Sequence, residues 1–270
     1  MSQDKKPAKE LFDLSGKVVI LTGAAGLLGT EYAEALSEAG ASVVLADINE
    51  ERCNSLAKEL GSKFDTSPMS ISLDLNGKSS VERMVDTVVS KYSKIDILIN
   101  NAVCNPLTED FHAPFEEFSL ENWDKVIAVN MTGVFLCCQA AGSQMVKQGY
   151  GNIINISSTY GLVGADQRIY GDSGINSSIV YAATKAAVLN MTRYLAAYWE
   201  GKNIRVNTLS PGGVYNNQAD EFVKNYSYRT ILGRMAEKHE YRGAILFLAS
   251  DASSYMTGAN LVVDGGWTAW

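Results

Sequence analysis

The sequence predicts an α/β chain built on a doubly wound sheet of about seven parallel strands with helices on both faces. Three observations carry this. Seven short runs are apolar at successive positions instead of alternating with polar ones, the pattern of strands covered on both sides. Segments with a helical apolar period separate them, and regular alternation of β and α implies parallel order. A glycine-rich turn, LTGAAGLLGTEYA at residues 21–33, joins the first run to the first helical segment.

Taken in order, the strand runs are KVVILTG (17–23), ASVVLAD (41–47), PMSISLDL (68–75), IDILINNA (95–102), GNIINISS (151–158), NIRVNTLS (203–210) and NLVVDGG (260–266). Helical periodicity covers 27–39, 50–60, 79–92, 121–147, 179–199 and 240–250. Gly40 and Gly61 fall where helix C-termini need a left-handed residue, and Ser79 and Glu82 have capping-box spacing. Residues 1–13 read as a polar, solvated tail. Residues 14–270 read as one domain, since no Pro/Gly/Ser-rich linker, repeat or composition shift divides them.

Composition narrows the function. The 270 residues are 46% apolar with mean hydropathy −0.04, enough for a large core, and no apolar run is expected to approach membrane-spanning length. The first ten residues lack the apolar stretch of a secretory signal. A net charge of −7 and a pI near 5.0 argue against nucleic acid, which needs a basic face. Cys53, Cys104, Cys137 and Cys138 have no metal-type spacing and read as buried reduced thiols, which suits a cytoplasmic protein. His112 and His239 are too few and too far apart for a metal centre.

The glycines at 23, 26 and 29 have a variant of dinucleotide-binding spacing. In a sheet of this kind, the first β-to-α turn brings unpaired helix N–H groups up to a phosphate. Gly29 would let helix and strand pack closely, and Gly26 would let backbone approach a pyrophosphate. Asp47, 18 residues beyond Gly29, stands where a carboxylate accepts both ribose hydroxyls of NAD, although the same position could instead cap the next helix. No Lys or Arg lies in the loop to meet a 2′-phosphate, so NAD is preferred to NADP. Tyr181 and Lys185 stand four apart on one helical face. A cation within about 4–6 Å favours phenolate, which would bring Tyr181 toward working pH as a general acid/base.

Thr22-Gly23 with its loop, Asp74, NNAV (100–103), Asn130, NISS (155–158) before Tyr181 and Lys185, the IRVN…SPGG segment and VVDGG together resemble the short-chain dehydrogenase/reductase family. The order of these motifs matches over nearly the whole chain from Leu14, and the length resembles the compact single-domain branch of this Rossmann-type fold. The resemblance implies Tyr181 as acid/base, with Lys185 its partner and a ligand of the nicotinamide ribose. Ser158 would hold the substrate oxygen, and Asn130 a water in the proton relay. Gly23, Gly26, Leu27, Leu28, Asp47, Asp74, Leu75, Asn101, Ala102 and Val103 would line the adenosine and phosphate half. Pro211, Gly212 and Val214 would pass beneath the carboxamide. Asn100 would tie the fourth strand to its neighbour.

Some residues depart from the family pattern. Val103 and Leu27 stand where glycine is usual, Asn216 where a hydroxyl residue is usual, and Ser158 lies 23 residues before Tyr181, which requires residues 159–180 to fold out as a loop. That loop is where substrate choice is expected. Thr159, Tyr160, Arg168, Tyr215 and Asn216 are the candidate substrate contacts, with Arg168 able to pair a phosphate or carboxylate. The lining suits a small polar, sugar-like secondary alcohol or ketone. The long loop, GGVYNNQ and the DGGWTAW tail resemble family members associated with bacterial surface-sugar and flagellin-glycan biosynthesis. An epimerase or dehydratase with transient NAD redox, and a noncatalytic NAD-binding regulator, are the alternatives. The apolar helical segments 121–147 and 179–199 suggest subunit contacts of a homodimer or homotetramer.

Overall fold

The computed structural model describes residues 6–270 except Leu107. Its framework is a seven-stranded parallel sheet in the order β3-β2-β1-β4-β5-β6-β7, formed by β1 (Val18–Thr22), β2 (Ser42–Asp47), β3 (Met69–Ser72), β4 (Ile97–Asn100), β5 (Gly151–Ile156), β6 (Ile204–Pro211) and β7 (Asn260–Val263). Leu21 is in register with Leu45 on one side and Ile99 on the other. Chain direction across the sheet reverses between β1 and β4. A crevice therefore opens beyond their carboxyl ends, where ligands bind in such sheets.

Successive strand residues go to opposite faces, and each face has its own core. Val19, Leu21, Val43 and Leu45 pack with Tyr32 and Leu36 of α1 (Leu27–Glu38), Leu56 and Leu60 of α2 (Glu50–Phe64) and Ile245 and Leu248 of α8 (Arg242–Ala249). Val18, Ile20, Val44 and Leu98 pack on the other side with Met84 and Val88 of α3 (Lys78–Tyr92), Cys137 and Met145 of α5 (Val134–Gln148) and Val188 of α6 (Ile179–Tyr198). This two-sided burial is why the central strands β1, β2 and β4 read as nearly unbroken apolar runs, whereas the edge strands β3, whose MSIS alternates, and β7 are only partly buried.

Several local expectations are corrected. Gly61 lies inside α2; the helix ends at Asp65, whose φ of 49° supplies the left-handed turn. Gly40 does take a left-handed conformation, with φ 91°. Ser79 caps nothing: the N-cap of α3 is Gly77, the hydroxyl of Ser80 accepts from Asp74 N, and Glu82 pairs with Lys78 at 3.5 Å. The segment read as one helix over 121–147 is α4 (Leu120–Ile127), a π turn (Ala128–Gly133) and α5. The joined helix Leu120–Gln148 is long and apolar enough to cross a membrane by length and composition, with a mean hydropathy of 1.5, contrary to the expectation that no run approaches that length. Its second part, α5, packs on the sheet through Cys137, Cys138 and Met145. Helix α7 (Asp220–Arg229) was not foreseen, being mostly polar, and within the predicted tail Ala8–Phe12 forms a 3-10 turn behind a Lys6–Asp251 ion pair of 2.8 Å. Three cysteines are buried and free, whereas Cys104 is half-buried.

Candidate active site

The turn after β1 forms one wall of the crevice. Gly23 has φ 66°, and a Cβ there would lie 2.6 Å from Ala102 Cα. A Cβ on Gly29 would stand 2.1 Å from Gly23 O, so α1 rests directly on the turn. Gly26 differs: an added Cβ meets only Gly23 O, at 3.3 Å, and otherwise faces open space. Thr22 Oγ1 accepts from the amides of Asn101 and Ala102 at 3.0 and 3.1 Å, and Asn101 Nδ2 donates to the carbonyls of Thr22 and Gly23. These bonds lock the end of β4 to the end of β1. Asn100 donates to Asn155 Oδ1 at 2.8 Å, tying β4 to β5.

A cleft of about 730 Å³ runs along this edge, lined by Gly23, Gly26, Leu27, Leu28, Asp47, Asp74, Leu75, Asn101, Ala102 and Val103, with Tyr181, Lys185, Pro211 and Val214 at its far end. Asp47 sits on its rim, accepting from Ala25 N and Asn49 N at 3.0 Å each. It does not cap α2: Asn49 does, accepting from Arg52 N at 3.0 Å. A carboxylate has about four acceptor sites, so two remain for a ligand's hydroxyls. Asp74 holds Asn76 through its backbone and side-chain amides, both at 2.9 Å. An open glycine cradle, a rim carboxylate and a helix N-terminus together fit a dinucleotide.

Beyond Tyr181 lies a second chamber of about 350 Å³, and Leu27, Leu28, Pro211 and Val214 border both spaces. Ser158 and Tyr181, 23 residues apart, both line it, because the intervening segment folds out as 3-10 turns at Thr159–Gly161 and Gln167–Tyr170. The first turn is pinned to α6: Ser157 Oγ donates to Lys185 O at 2.7 Å, and a Cβ on Gly161 would lie 2.7 Å from that same oxygen. Gly212 also lines this chamber, its carbonyl accepting from Tyr241 at 3.1 Å.

The expected acidification of Tyr181 is corrected. Burial holds its phenol above the ordinary tyrosine value, and the hydroxyl of Ser158 offsets only part of that. Lys185, 5% exposed, donates to Ile156 O at 2.8 Å, with Nζ 5.6 Å from the centre of the Tyr181 ring. Burial pushes its ammonium down to about 8. Between pH 8 and 10.5 the unfolded chain keeps this proton and the folded chain does not, so folding gains stability as pH rises through that window. Relative to Lys185→Met, the wild type should be penalised most, by roughly 3 kcal/mol, below pH 8 and should recover toward pH 10. Urea titrations of both proteins from pH 6 to 10 measure this, and a constant difference would contradict it.

Asn130, 2% exposed, sits in the π turn with both side-chain atoms taken: Cys104 N donates to Oδ1 at 2.7 Å, and Nδ2 donates to Cys104 O at 3.0 Å. The side chain therefore fixes the Val103–Cys104 wall, and one N–H and one lone pair of its amide are left for another partner. Three substrate expectations are also corrected. Arg168 is 82% exposed at its side chain and closes on Asp166 through two bonds of 2.8 Å, so it faces solvent, not the chamber. Tyr215 and Asn216 lie outside the chamber, where Asn216 N donates to Gln218 Oε1 at 2.7 Å. Thr159 and Tyr160 do line it, together with Tyr170, Ser177, Ser178, Gln218, Phe222, Tyr226 and Met235. The last three come from α7 and the segment after it.

A family profile described as enoyl-(acyl carrier protein) reductase matches residues 23–268. The D-threitol dehydrogenase of Mycolicibacterium smegmatis is 36% identical over 262 residues, 95% of each chain. The 3-oxoacyl-(acyl-carrier-protein) reductase of Thermotoga maritima is 37% identical over 260 residues, 94% of this chain and 98% of its own. The crystal structure of a gluconate 5-dehydrogenase from Burkholderia cenocepacia in complex with NADP and tartrate matches with a TM-score of 0.88 at 31% identity, covering 98% of this chain and 100% of that one. A nicotinamide cofactor and hydride exchange at a CH–OH carbon suit the two adjoining spaces. With the tyrosine–lysine pair standing between them on one helix, and with such agreement along almost its whole length, this chain is a member of the short-chain dehydrogenase/reductase family.

Proposed function

We propose that residues 14–270 form one catalytic domain that oxidises a small, polar, sugar-like secondary alcohol with NAD, or reduces the matching ketone, in the cytoplasm. The observation that carries this reading is the second chamber, where hydroxyl and amide side chains of Ser158, Thr159, Ser177, Ser178 and Gln218 line a space near the small end of the roughly 300–1,000 Å³ of ligand pockets. When bound, the nicotinamide accepts or delivers the hydride. Ser158 orients the substrate oxygen, and Tyr181 takes up or returns its proton. The low-dielectric wall of Leu27, Leu28, Pro211 and Val214 keeps water from the reacting carbon. Lys185 stabilises the phenolate of Tyr181 as it forms by placing a cation beside it, which lowers the proton affinity of that oxygen. Helices α4–α6 carry the exposed Phe135, Tyr194 and Tyr198, which support a homodimer or homotetramer.

Absorbance at 340 nm with a panel of four- to six-carbon polyols, sugars and sugar phosphates tests the reaction. Turnover of hydrophobic alcohols and acyl thioesters alone would overturn it, and conversion without net NADH would point to an epimerase. Asp47 supports NAD over NADP, since a phosphate about 4 Å from a carboxylate is repelled by about 4 kcal/mol at an effective dielectric of 20. The wild type should favour NAD by on the order of 100-fold in kcat/KM, and Asp47→Ser should bring the ratio to within about tenfold. An unchanged ratio in that variant would show that Asp47 does not discriminate.

A further inference from the structure

Ser178 carries a buried hydroxyl without a partner. The residue is 8% exposed, and its Oγ makes no hydrogen bond among the described residues. It is the N-cap of α6, where a serine ordinarily accepts from an amide of the first turn, yet no such bond is made. An unpaired buried hydroxyl is costly, so Ser178 calls for a partner that the described residues do not supply. The residue lines the chamber shared by Ser158 and Tyr181. Standing three positions before Tyr181, it lies on the same helical face, one turn nearer the N-terminus.

Charge makes the second observation. None of the residues lining this chamber is Asp, Glu, Lys, Arg or His. The nearby charges are engaged elsewhere: Asp166 holds both Arg168, at 2.8 Å, and Arg229, at 3.1 Å, while Lys185 borders the cofactor cleft and donates to Ile156 O. A carboxylate or phosphate entering the chamber would lose its water without gaining a counter-charge. A hydroxyl would lose little, and it could both donate to and accept from Ser178.

We propose that Ser178 binds a second hydroxyl of the substrate, on the carbon next to the one that reacts, so that the preferred substrate is an uncharged vicinal diol or polyol. This rests on the dehydrogenase reading above and adds the chemical class of its substrate. Ser158 and Tyr181 engage the reacting oxygen, and Ser178 fixes the neighbouring one. Together the two attachments select one carbon of a polyol for oxidation, because a single anchor would leave the chain free to turn.

The test uses matched pairs with NAD: butane-2,3-diol against butan-2-ol, and the five- and six-carbon 2,3-diols against their 2-alcohols. The wild type should favour each diol by about tenfold or more in kcat/KM. Ser178→Ala should lower kcat/KM about tenfold further for the diols than for the mono-alcohols and so abolish the preference. Ser178→Gly keeps an acceptable helix cap and should behave alike. A purely structural role for Ser178 would instead lower the melting temperature and slow both members of a pair equally, which would overturn the proposal. So would a six-carbon aldonate outperforming the neutral polyol of equal length. If the wild type oxidises polyols but the variants keep its diol preference, this inference alone fails. If it turns over no diol or polyol, the functional reading fails with it.

Discussion

Replacing Tyr181 with phenylalanine is expected to lower kcat/KM by about 10²–10⁴-fold, the range that a positioned acid/base supplies. The loss should appear in kcat, because the ring keeps its place between the two chambers and only the oxygen is removed. Binding of NAD, followed by quenching of intrinsic fluorescence, should change less than about threefold. Lys185 makes a useful contrast. Its loss removes the cation beside the phenol and also the bond to Ile156 O, so Lys185→Met should weaken cofactor binding as well as turnover. A Tyr181→Phe enzyme retaining a tenth of wild-type activity would remove the phenol from the chemistry.

The second large effect concerns folding. Gly29→Ala places a methyl 2.1 Å from Gly23 O and 2.9 Å from Ala24 Cα, both backbone atoms that cannot swing aside. Helix α1 would have to lift from the sheet where Leu36 and Tyr32 are fully buried, at a cost of about 3 kcal/mol or more. Gly26→Ala should show the opposite profile. Its methyl finds only Gly23 O, at 3.3 Å, so the melting temperature should hold while the cradle fills and NAD affinity falls about tenfold or more. Thermal melts and calorimetric titration of the two variants separate the effects. Equal stability losses would mean that the turn has no functional division of labour.

The parts of this architecture that follow from composition and period were legible in the sequence. Strands buried on both faces announce themselves as runs such as VVIL and SVVLA, and no local competitor produces that pattern at strand length. Details set by single competing groups were not. Ser79 and Glu82 had capping-box spacing, but the helix starts at Lys78 with its N-cap at Gly77, two positions before Ser79, and the hydroxyl that is engaged belongs to Ser80, one position after it. Gly61 carried the expected stop signal, yet α2 continues another turn to bury Phe64 partly against the core and ends on Asp65 instead. The π turn has no sequence breaker, since AVNMTG would serve equally well in a regular helix; in the fold Asn130 sits in it and bonds Cys104. Arg168 was misplaced because its partner, Asp166, is two residues away and captures it before any ligand could. Ser178 escaped notice altogether: an unsatisfied hydroxyl is a property of three-dimensional surroundings, and the letters SSIV give no sign of it.

The surplus residue in the π turn also settles what the long helix does mechanically. One extra residue in a turn rotates everything that follows by about 100° relative to an uninterrupted α-helix. Val126, before the turn, packs with Phe111 and Val180 in a small satellite cluster, while Cys137, Cys138 and Met145, after it, are buried in the main core. A single rod therefore has its two ends clamped in different blocks, with Asn130 gripping the Cys104 wall at the joint. Loosening either clamp twists that joint, so damage to the satellite cluster should be felt as a misaligned nucleotide wall, since Cys104, which packs against the cluster, also borders the cleft.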